Sequence, residues 1–240
     1  MIRQLKWLTD PLTVNNIETR WKVELHSHTL YSKDCLIKLD DVIRTCQQRG
    51  IDRIAITDHN TAAGGLELAK LAPDLIIPGE EIMTTEGEIL AFFVKETVPA
   101  GLTPAETIKR LRDQGAVISV AHPYDRVRKG AWVESELLKI VADVDALEVF
   151  NARCIFPEDN AKALAFAQEH SKPSTVGSDG HITYEYGHAT LRMQPFEGAG
   201  DFYEALKTAA LETSLSPSWV HLFSSYAKFL RKRGLSHMPV

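Results

Sequence analysis

The chain has 240 residues, 44% of them apolar and 25% charged, a composition that argues for one sizeable packed domain and against a low-complexity or repeat chain. Its 27 basic and 32 acidic side chains give a formal charge of -5, so no general attraction to nucleic acid or to an anionic membrane is implied. Cys35, Cys46 and Cys154 are an odd number without a CxxC pair, which fits free thiols in a reducing compartment better than a disulfide framework.

Taken in chain order, the first twenty residues read as a leader before a repeating pattern begins. Met1 to Val14 breaks its apolar residues with Arg3, Lys6 and Asp10, which predicts no signal peptide and a cytoplasmic protein. From Trp21 onward, strand-type runs alternate with helical periods, the pattern of parallel βα units. Strands are expected at Lys22 to His26, Arg53 to Thr57, Leu75 to Gly79, Ala116 to Ala121, Ala146 to Phe150, Ser174 to Gly177 and Ala189 to Gln194. The apolar stretch Ile89 to Val94 is strand-length and too short to span a bilayer, so no membrane association is expected.

Between the first two strands, Leu39, Val42, Ile43 and Cys46 follow the i, i+3, i+4, i+7 spacing of a buried helical face, with Gly50 as its C-cap. Thr103-Pro104-Ala105-Glu106 reads as a capping box with Pro at the first helical position, and Gly115 ends that helix. Further helices are expected at Glu134 to Val141, Glu158 to His170, Gly200 to Leu211 and Trp219 to Arg233. Seven strands with intervening helices predict a closed or nearly closed α/β barrel, with reactive residues where strands end. An open doubly wound sheet is the alternative, but it needs a glycine-rich loop after the first strand, where the chain reads His26-Ser27-His28-Thr29. One domain is expected over residues 1–240, with the leader at 1–20, the barrel at about 21–215 and a C-terminal helix at about 219–233.

The strand ends are repeatedly rich in metal-ligating side chains: His26 and His28, Asp58-His59, Glu80-Glu81, His122, and Asp179 with His181. Residues two apart in an extended segment point to the same side, so His26 and His28 can converge on one ion, as can Asp179 and His181. Imidazole and carboxylate without paired thiolate suit Zn, Mn or Fe(II) at a catalytic site. A pair or trio of such ions can clamp a phosphoryl group and generate hydroxide near neutral pH, with no Ser, Cys or Lys nucleophile.

Glu24-Leu25-His26-Ser27-His28-Thr29, Ile56-Thr57-Asp58-His59, Gly79-Glu80-Glu81-Ile82, Ala121-His122-Pro123 and Gly177-Ser178-Asp179-Gly180-His181 resemble, in order, the successive motifs of the PHP (polymerase and histidinol phosphatase) family, over roughly residues 20 to 230. The resemblance implies a distorted seven-stranded TIM-like (β/α) barrel with two or three divalent metal ions. It implies that His26, His28 and Asp179 hold a first metal and that Glu81 bridges to a second, which also takes His122. It further implies that Asp34, His59 and His181 hold a third, with Asp58 orienting neighbours or, on another reading, capping a helix. Where relatives often carry a histidine after Glu81, this chain reads Gly87-Glu88-Ile89-Leu90, and Glu88 is taken as an oxygen ligand, while Glu80 is read as a solvated neighbour.

Arg153 and Asn151, after the strand ending at Phe150, are candidate phosphate-binding residues, Arg for its bidentate fork. His188 is a candidate general acid by position. Arg126, Arg128 and Lys129 form a basic loop that could contact substrate or simply be solvated, and Trp132, Tyr124 and Phe156 are possible base-stacking platforms. His170, His221 and His237 are read as helix or surface residues, and Lys228 to Arg233 as a basic end packed on the barrel. The expected function is metal-dependent hydrolysis of a phosphomonoester or phosphodiester by a metal-bound hydroxide, on a phosphorylated small molecule or short oligonucleotide, with no obligate protein partner. An amidohydrolase-like metal hydrolase and a non-catalytic binding module are the alternatives.

Overall fold

The computed structural model describes residues 20–236, so the leader up to residue 19 and His237 lie outside the described residues. Strands β1 (Trp21–Glu24), β2 (Arg53–Ile56), β3 (Ile76–Met83), β4 (Glu88–Phe92), β5 (Val117–Val120), β6 (Ala146–Asn151), β7 (Ser174–Gly177), β8 (Ala189–Met193) and β9 (Ala210–Thr213) form one sheet. Helices α1 (Leu39–Arg49), α2 (Ala63–Leu71), α3 (Pro104–Gln114), α4 (Glu134–Ile140), α5 (Pro157–Glu169), α6 (Ala199–Leu206) and α7 (Val220–Lys232) connect the strands or follow them.

The sheet runs β7-β6-β5-β4-β3-β2-β1-β8-β9. The pairs β1–β2, β2–β3, β5–β6 and β6–β7 are parallel, whereas β4 is antiparallel to β3 and β5, and β8 is antiparallel to β1 and β9. Past their C-terminal ends, β7 and β1 meet: the Asp179 N–H donates to the His26 carbonyl at 2.7 Å and Ser27 bridges Gly180 in parallel. That junction nearly closes the barrel at the rim where the strand-end clusters sit.

The expectation of seven strands is corrected to nine, among the described residues, in a mixed sheet. The run at Ile89 to Val94 is strand β4, which returns from β3 through the tight turn at Thr84–Gly87, where the Thr84 hydroxyl donates to the Gly87 carbonyl at 2.7 Å. Strand β9 lies where the helix from Gly200 was expected to extend to Leu211. All four of its residues are exposed, so its backbone pairs with β8 without burying an apolar face, and no hydrophobic alternation marks it. Helix α2 was also not expected; Gly64 and Gly65 in its first turn weaken the helical signal, yet their lack of side chains lets it lie against the Ile56 carbonyl and Gly79.

The remaining elements form for local reasons. Gly50 closes α1 in the left-handed region at φ 60°, and the Thr103 hydroxyl accepts the Glu106 N–H at 3.3 Å at the head of α3. The larger core cluster includes Ile77, Leu90, Ile118, Val149 and Phe202; a second lies under α1 and α2 around Val42, Ile54, Ile56, Leu68 and Tyr186. These layers hold the strand ends rigidly, which a multi-ligand site requires.

Candidate metal centre

Three turns at this rim carry non-glycine residues in the left-handed region, Asn60 (φ 57°), His122 (φ 22°) and Asp179 (φ 52°). Strained backbone of this kind persists only where surrounding contacts over-determine it, and here it turns the chain directly at three of the strand-end motifs. Gly177 leaves β7 so close to β1 that a Cβ there would lie 2.1 Å from the His26 Cβ.

These turns gather His26, His28, Glu81 and Asp179 into one fully buried group. His26 Nε2 lies 3.3 Å from Glu81 Oε1 and 3.7 Å from Asp179 Oδ1, while His28 Nε2 lies 3.4 Å from Glu81 Oε2 and 3.1 Å from Asp179 Oδ1. Beside it, Asp34 Oδ1 stands 3.5 Å from His59 Nε2 and 3.3 Å from His181 Nε2, and His59 Nδ1 stands 2.8 Å from Glu81 Oε2. On the other side, His122 Nε2 is 3.0 Å from Glu81 Oε1 and 3.5 Å from Glu88 Oε2. Thus all nine residues expected as ligands meet around Glu81, which touches every lobe.

Divalent metals suit this set. Ligand bonds of about 2.0–2.2 Å place neighbouring donor atoms roughly 3–3.6 Å apart, close to the separations of 2.8 to 3.7 Å seen here. His26 Nε2, His28 Nε2, Asp34 Oδ1, Glu81 Oε2 and Asp179 Oδ1 are buried without a hydrogen-bond partner, an arrangement whose desolvation cost a cation would offset. Burial opposes ionisation of Glu81, yet His26 and His59 hold its carboxyl well below the usual range; for Asp179, Arg128 and His26 do the same. Glu88 is pushed up by burial and then by Glu81, as expected of crowded carboxylates that share a positive charge.

A second layer of contacts aims these side chains. The Glu148 carboxylate takes His26 Nδ1 at 2.9 Å and accepts the His122 N–H at 2.7 Å. Asn151 Nδ2 donates to Glu148 at 3.3 Å and to Asp179 Oδ2 at 3.1 Å. Asp58 accepts the Thr29 N–H (2.7 Å) and the Thr29 (2.7 Å) and Ser32 (2.6 Å) hydroxyls, and Ser32 Oγ in turn touches His28 Nδ1 at 3.1 Å. It does not cap α2, whose N-cap residue is Ala62. Glu24 accepts the Ser178 and Gly187 N–H groups at 2.8 and 3.0 Å, and burial lifts its pKa to about 7. Glu80 points away from the cluster, accepts the Val98 N–H at 2.9 Å, and is fully buried rather than solvated; burial pushes its pKa to about 8.

The centre opens into a cavity of about 490 Å³ whose lining includes Asp34, His59, Glu88, Arg128, Arg153, His181, His221 and Lys228. Within the basic loop Arg128 folds over the site, pairing with Asp179 and, at 3.1 Å, with Asp125, whereas Arg126, paired with Asp159, and Lys129 are exposed. Arg153 reaches the rim but is held by protein, with Nε 3.0 Å from Glu185, Nη1 2.8 Å from His181 Nδ1 and Nη2 donating to Ser224 at 2.8 Å. Asn151 is buried behind Asp179. His188 does not line the cavity; its ring lies 5.1 Å from Tyr184, with Nδ1 2.9 Å from the Glu185 carbonyl.

None of the expected stacking platforms faces the cavity. Trp132 is buried with its indole N–H on the Glu88 carbonyl, Tyr124 packs on Phe166, and Phe156 meets Arg126. His221, read from sequence as a helix or surface residue, and Lys228, read as part of a basic end packed on the barrel, form a cavity wall from α7, with Lys228 Nζ 3.1 Å from Asp34. Glu148, Glu24 and Glu185 were not singled out from the sequence; the available signal was a lone carboxylate inside an otherwise apolar strand, most clearly Glu148 in Ala146–Phe150.

No helix among the described residues is long and apolar enough to cross a membrane. The PHP domain profile matches residues 24–109, and the PHP-associated profile matches residues 157–211. The uncharacterised protein MJ0417 of Methanocaldococcus jannaschii is 37% identical over 175 residues, 72% of this chain and 70% of that one. Among solved structures, a two-domain protein from Bacteroides vulgatus containing a predicted PHP-like metal-dependent phosphoesterase aligns with a TM-score of 0.65 at 19% identity, covering 82% of this chain and 65% of that one. PsfC from Pseudomonas syringae aligns with a TM-score of 0.66 at 18% identity, covering 88% and 99%. At such identities these structures speak for the fold, while the profiles and the archaeal relative carry descent: the chain belongs to the PHP domain family.

Proposed function

We propose that this chain hydrolyses phosphate esters of small molecules at a centre of two or three divalent ions held by His26, His28, Asp34, His59, Glu81, Glu88, His122, Asp179 and His181. The observation that carries this reading is the set of buried, unpartnered imidazole nitrogens and carboxylate oxygens around Glu81, opening on a cavity edged with cationic side chains. Zinc, manganese or iron held there would supply Lewis acidity toward a phosphoryl oxygen and a more acidic water, with a pKa near about 7 in the case of zinc.

The chain's own groups then divide the work. Glu148 fixes the His26 tautomer so that Nε2 presents its lone pair to the centre, and Asp58 acts on His28 through Ser32. Arg153, saturated by Glu185, Ser224 and His181, positions the His181 ring. Arg128 spans the mouth with one edge on Asp179, and its guanidinium is the group best placed to hold a phosphate against the centre. Lys33, Lys129 and Lys228 on the lining add positive charge for an anionic substrate.

A small substrate fits better than a stacked oligonucleotide, because the cavity volume falls in the range of small-molecule sites and its lining has no Phe, Tyr or Trp. The amidohydrolase alternative lacks a strand lysine at the centre: Lys22, the one lysine on the nine strands, turns to the Arg49 carbonyl at 3.4 Å. The test is a panel of p-nitrophenyl phosphate, its bis-ester, nucleotides, short RNA and an amide, with Zn, Mn and Fe(II) supplied in turn. Phosphate release that disappears in His59→Ala supports the reading. Amide cleavage without phosphate release, or metal uptake with no turnover, overturns it.

A further inference from the structure

Helix α7 presents three different faces. Val220, Ser224 and Ala227 pack on the barrel, and His221, Ser225 and Lys228 face the cavity. On the remaining side Trp219, Leu222, Phe223, Tyr226 and Phe229 expose between 42% and 69% of their surface. Their spacing of i, i+3, i+4, i+7 and i+10 is that of a seam made for a second amphipathic helix. The patch continues onto the barrel, where Tyr184 lies 5.2 Å from Trp219 between ring centroids, and Trp219 lies 5.8 Å from Phe223.

We propose that this face is the interface of a two-fold symmetric dimer, in which α7 packs antiparallel against α7 of a second copy. Half-exposed, these five side chains and Tyr184 together offer roughly 450–750 Å², which brackets the roughly 600 Å² per partner at which standard-size interfaces begin. Monomers rarely expose contiguous apolar patches beyond a few hundred Å², and a standard-size interface takes about 800 Å² from each partner. A continuous stripe is self-complementary, as an isologous contact requires.

Charge sets the direction. Lys228 and the run Arg231, Lys232 and Arg233 gather at one end of α7, which has no acidic residue. A parallel pair would bring the basic ends together; an antiparallel pair separates them and lays each beside the Trp219 and Phe223 rings of the other copy. Arg233 already stands 4.9 Å from the Phe229 ring centroid, the kind of cation–π contact such an arrangement multiplies. An anionic membrane is a poorer partner for a chain of net charge -5 whose α7 turns Lys228 toward Asp34.

The test is analytical ultracentrifugation of the full chain across about 1–100 µM. The native protein is expected to sediment at twice its 26.8 kDa chain mass, and Leu222→Glu and Tyr226→Glu to shift it to monomer. Each should raise the dissociation constant at least about 30-fold, the loss expected for one hot-spot side chain. Circular dichroism and the thermal midpoint of the isolated monomer check that the variants fold. A native protein that stays monomeric throughout overturns the proposal, whether residues 1–19 cover the face or the helix floats with phosphatidylserine vesicles. So does a dimer indifferent to both substitutions.

Discussion

Glu148 provides the sharpest test of how the second layer supports the centre. Its carboxylate is 1% exposed and takes His26 Nδ1 at 2.9 Å on one oxygen, and the His122 N–H at 2.7 Å and Asn151 Nδ2 at 3.3 Å on the other. Glu148→Gln keeps shape and volume but replaces one oxygen with an NH2 group, so at least one of these donors must face another donor. Leaving a buried donor unsatisfied costs about 1–3 kcal/mol. The independent expectation for losing a carboxylate behind a ligating imidazole is about 10–100-fold in metal affinity, and at about 1.4 kcal/mol per tenfold the two figures agree. Competitive titration with a chromogenic chelator, with bound metal counted by mass spectrometry, measures this directly. Affinity within threefold of native, with the fold intact by circular dichroism, refutes the claim that Glu148 orients His26.

Arg128→Ala removes the guanidinium from the cavity mouth but no proposed ligand, so metal content should stay near native while kcat/KM for a phosphomonoester falls at least about tenfold; coincident loss of metal would assign Arg128 to structure instead. Gly177→Ala drives a Cβ to 2.1 Å from the His26 Cβ and should cost about 1–3 kcal/mol or more, read as a lower midpoint in urea unfolding. An unchanged midpoint would mean that β7 and β1 separate easily. Metal retention should fall as pH drops, because five of the proposed ligands are imidazoles that bind metal only when neutral, and for His26, His59 and His122 burial is outweighed by the neighbouring carboxylates, which favour the protonated ring; dialysis at stepped pH followed by metal analysis checks this, and full retention at pH 5 contradicts it.

Much of the cluster could be read locally because its proposed ligands come in short-range pairs. His26 and His28 lie two residues apart where the chain leaves β1, and Asp58-His59, His122 and Asp179 each follow directly after a strand. Alternation and strand-end position depend only on neighbours within a few residues, and so survive in a one-dimensional reading. The same holds for α1 and α3, whose apolar spacing, Thr103 cap and closing glycines are local features.

Side chains that work across long separations carried no such mark. Arg128 belongs to a polar loop that reads as solvated, and only its fold back over Asp179, 51 positions away, makes it part of the site. Arg153 carries a fork suited to phosphate, but Glu185, His181 and Ser224 occupy its nitrogens. Strand β9 was invisible because its pairing is backbone hydrogen bonding without burial, and the His221 and Lys228 wall depends on how α7 docks.

Residue type and spacing by themselves determined the alternating α/β character, the family motifs and the set of side chains able to bind metal, because each follows from backbone periodicity and donor chemistry. The tertiary structure alone decided the nine-strand order, the closure of β7 on β1, and which charged groups face the cavity or each other. Those depend on pairings between residues far apart in the chain, whose register and burial no local pattern specifies.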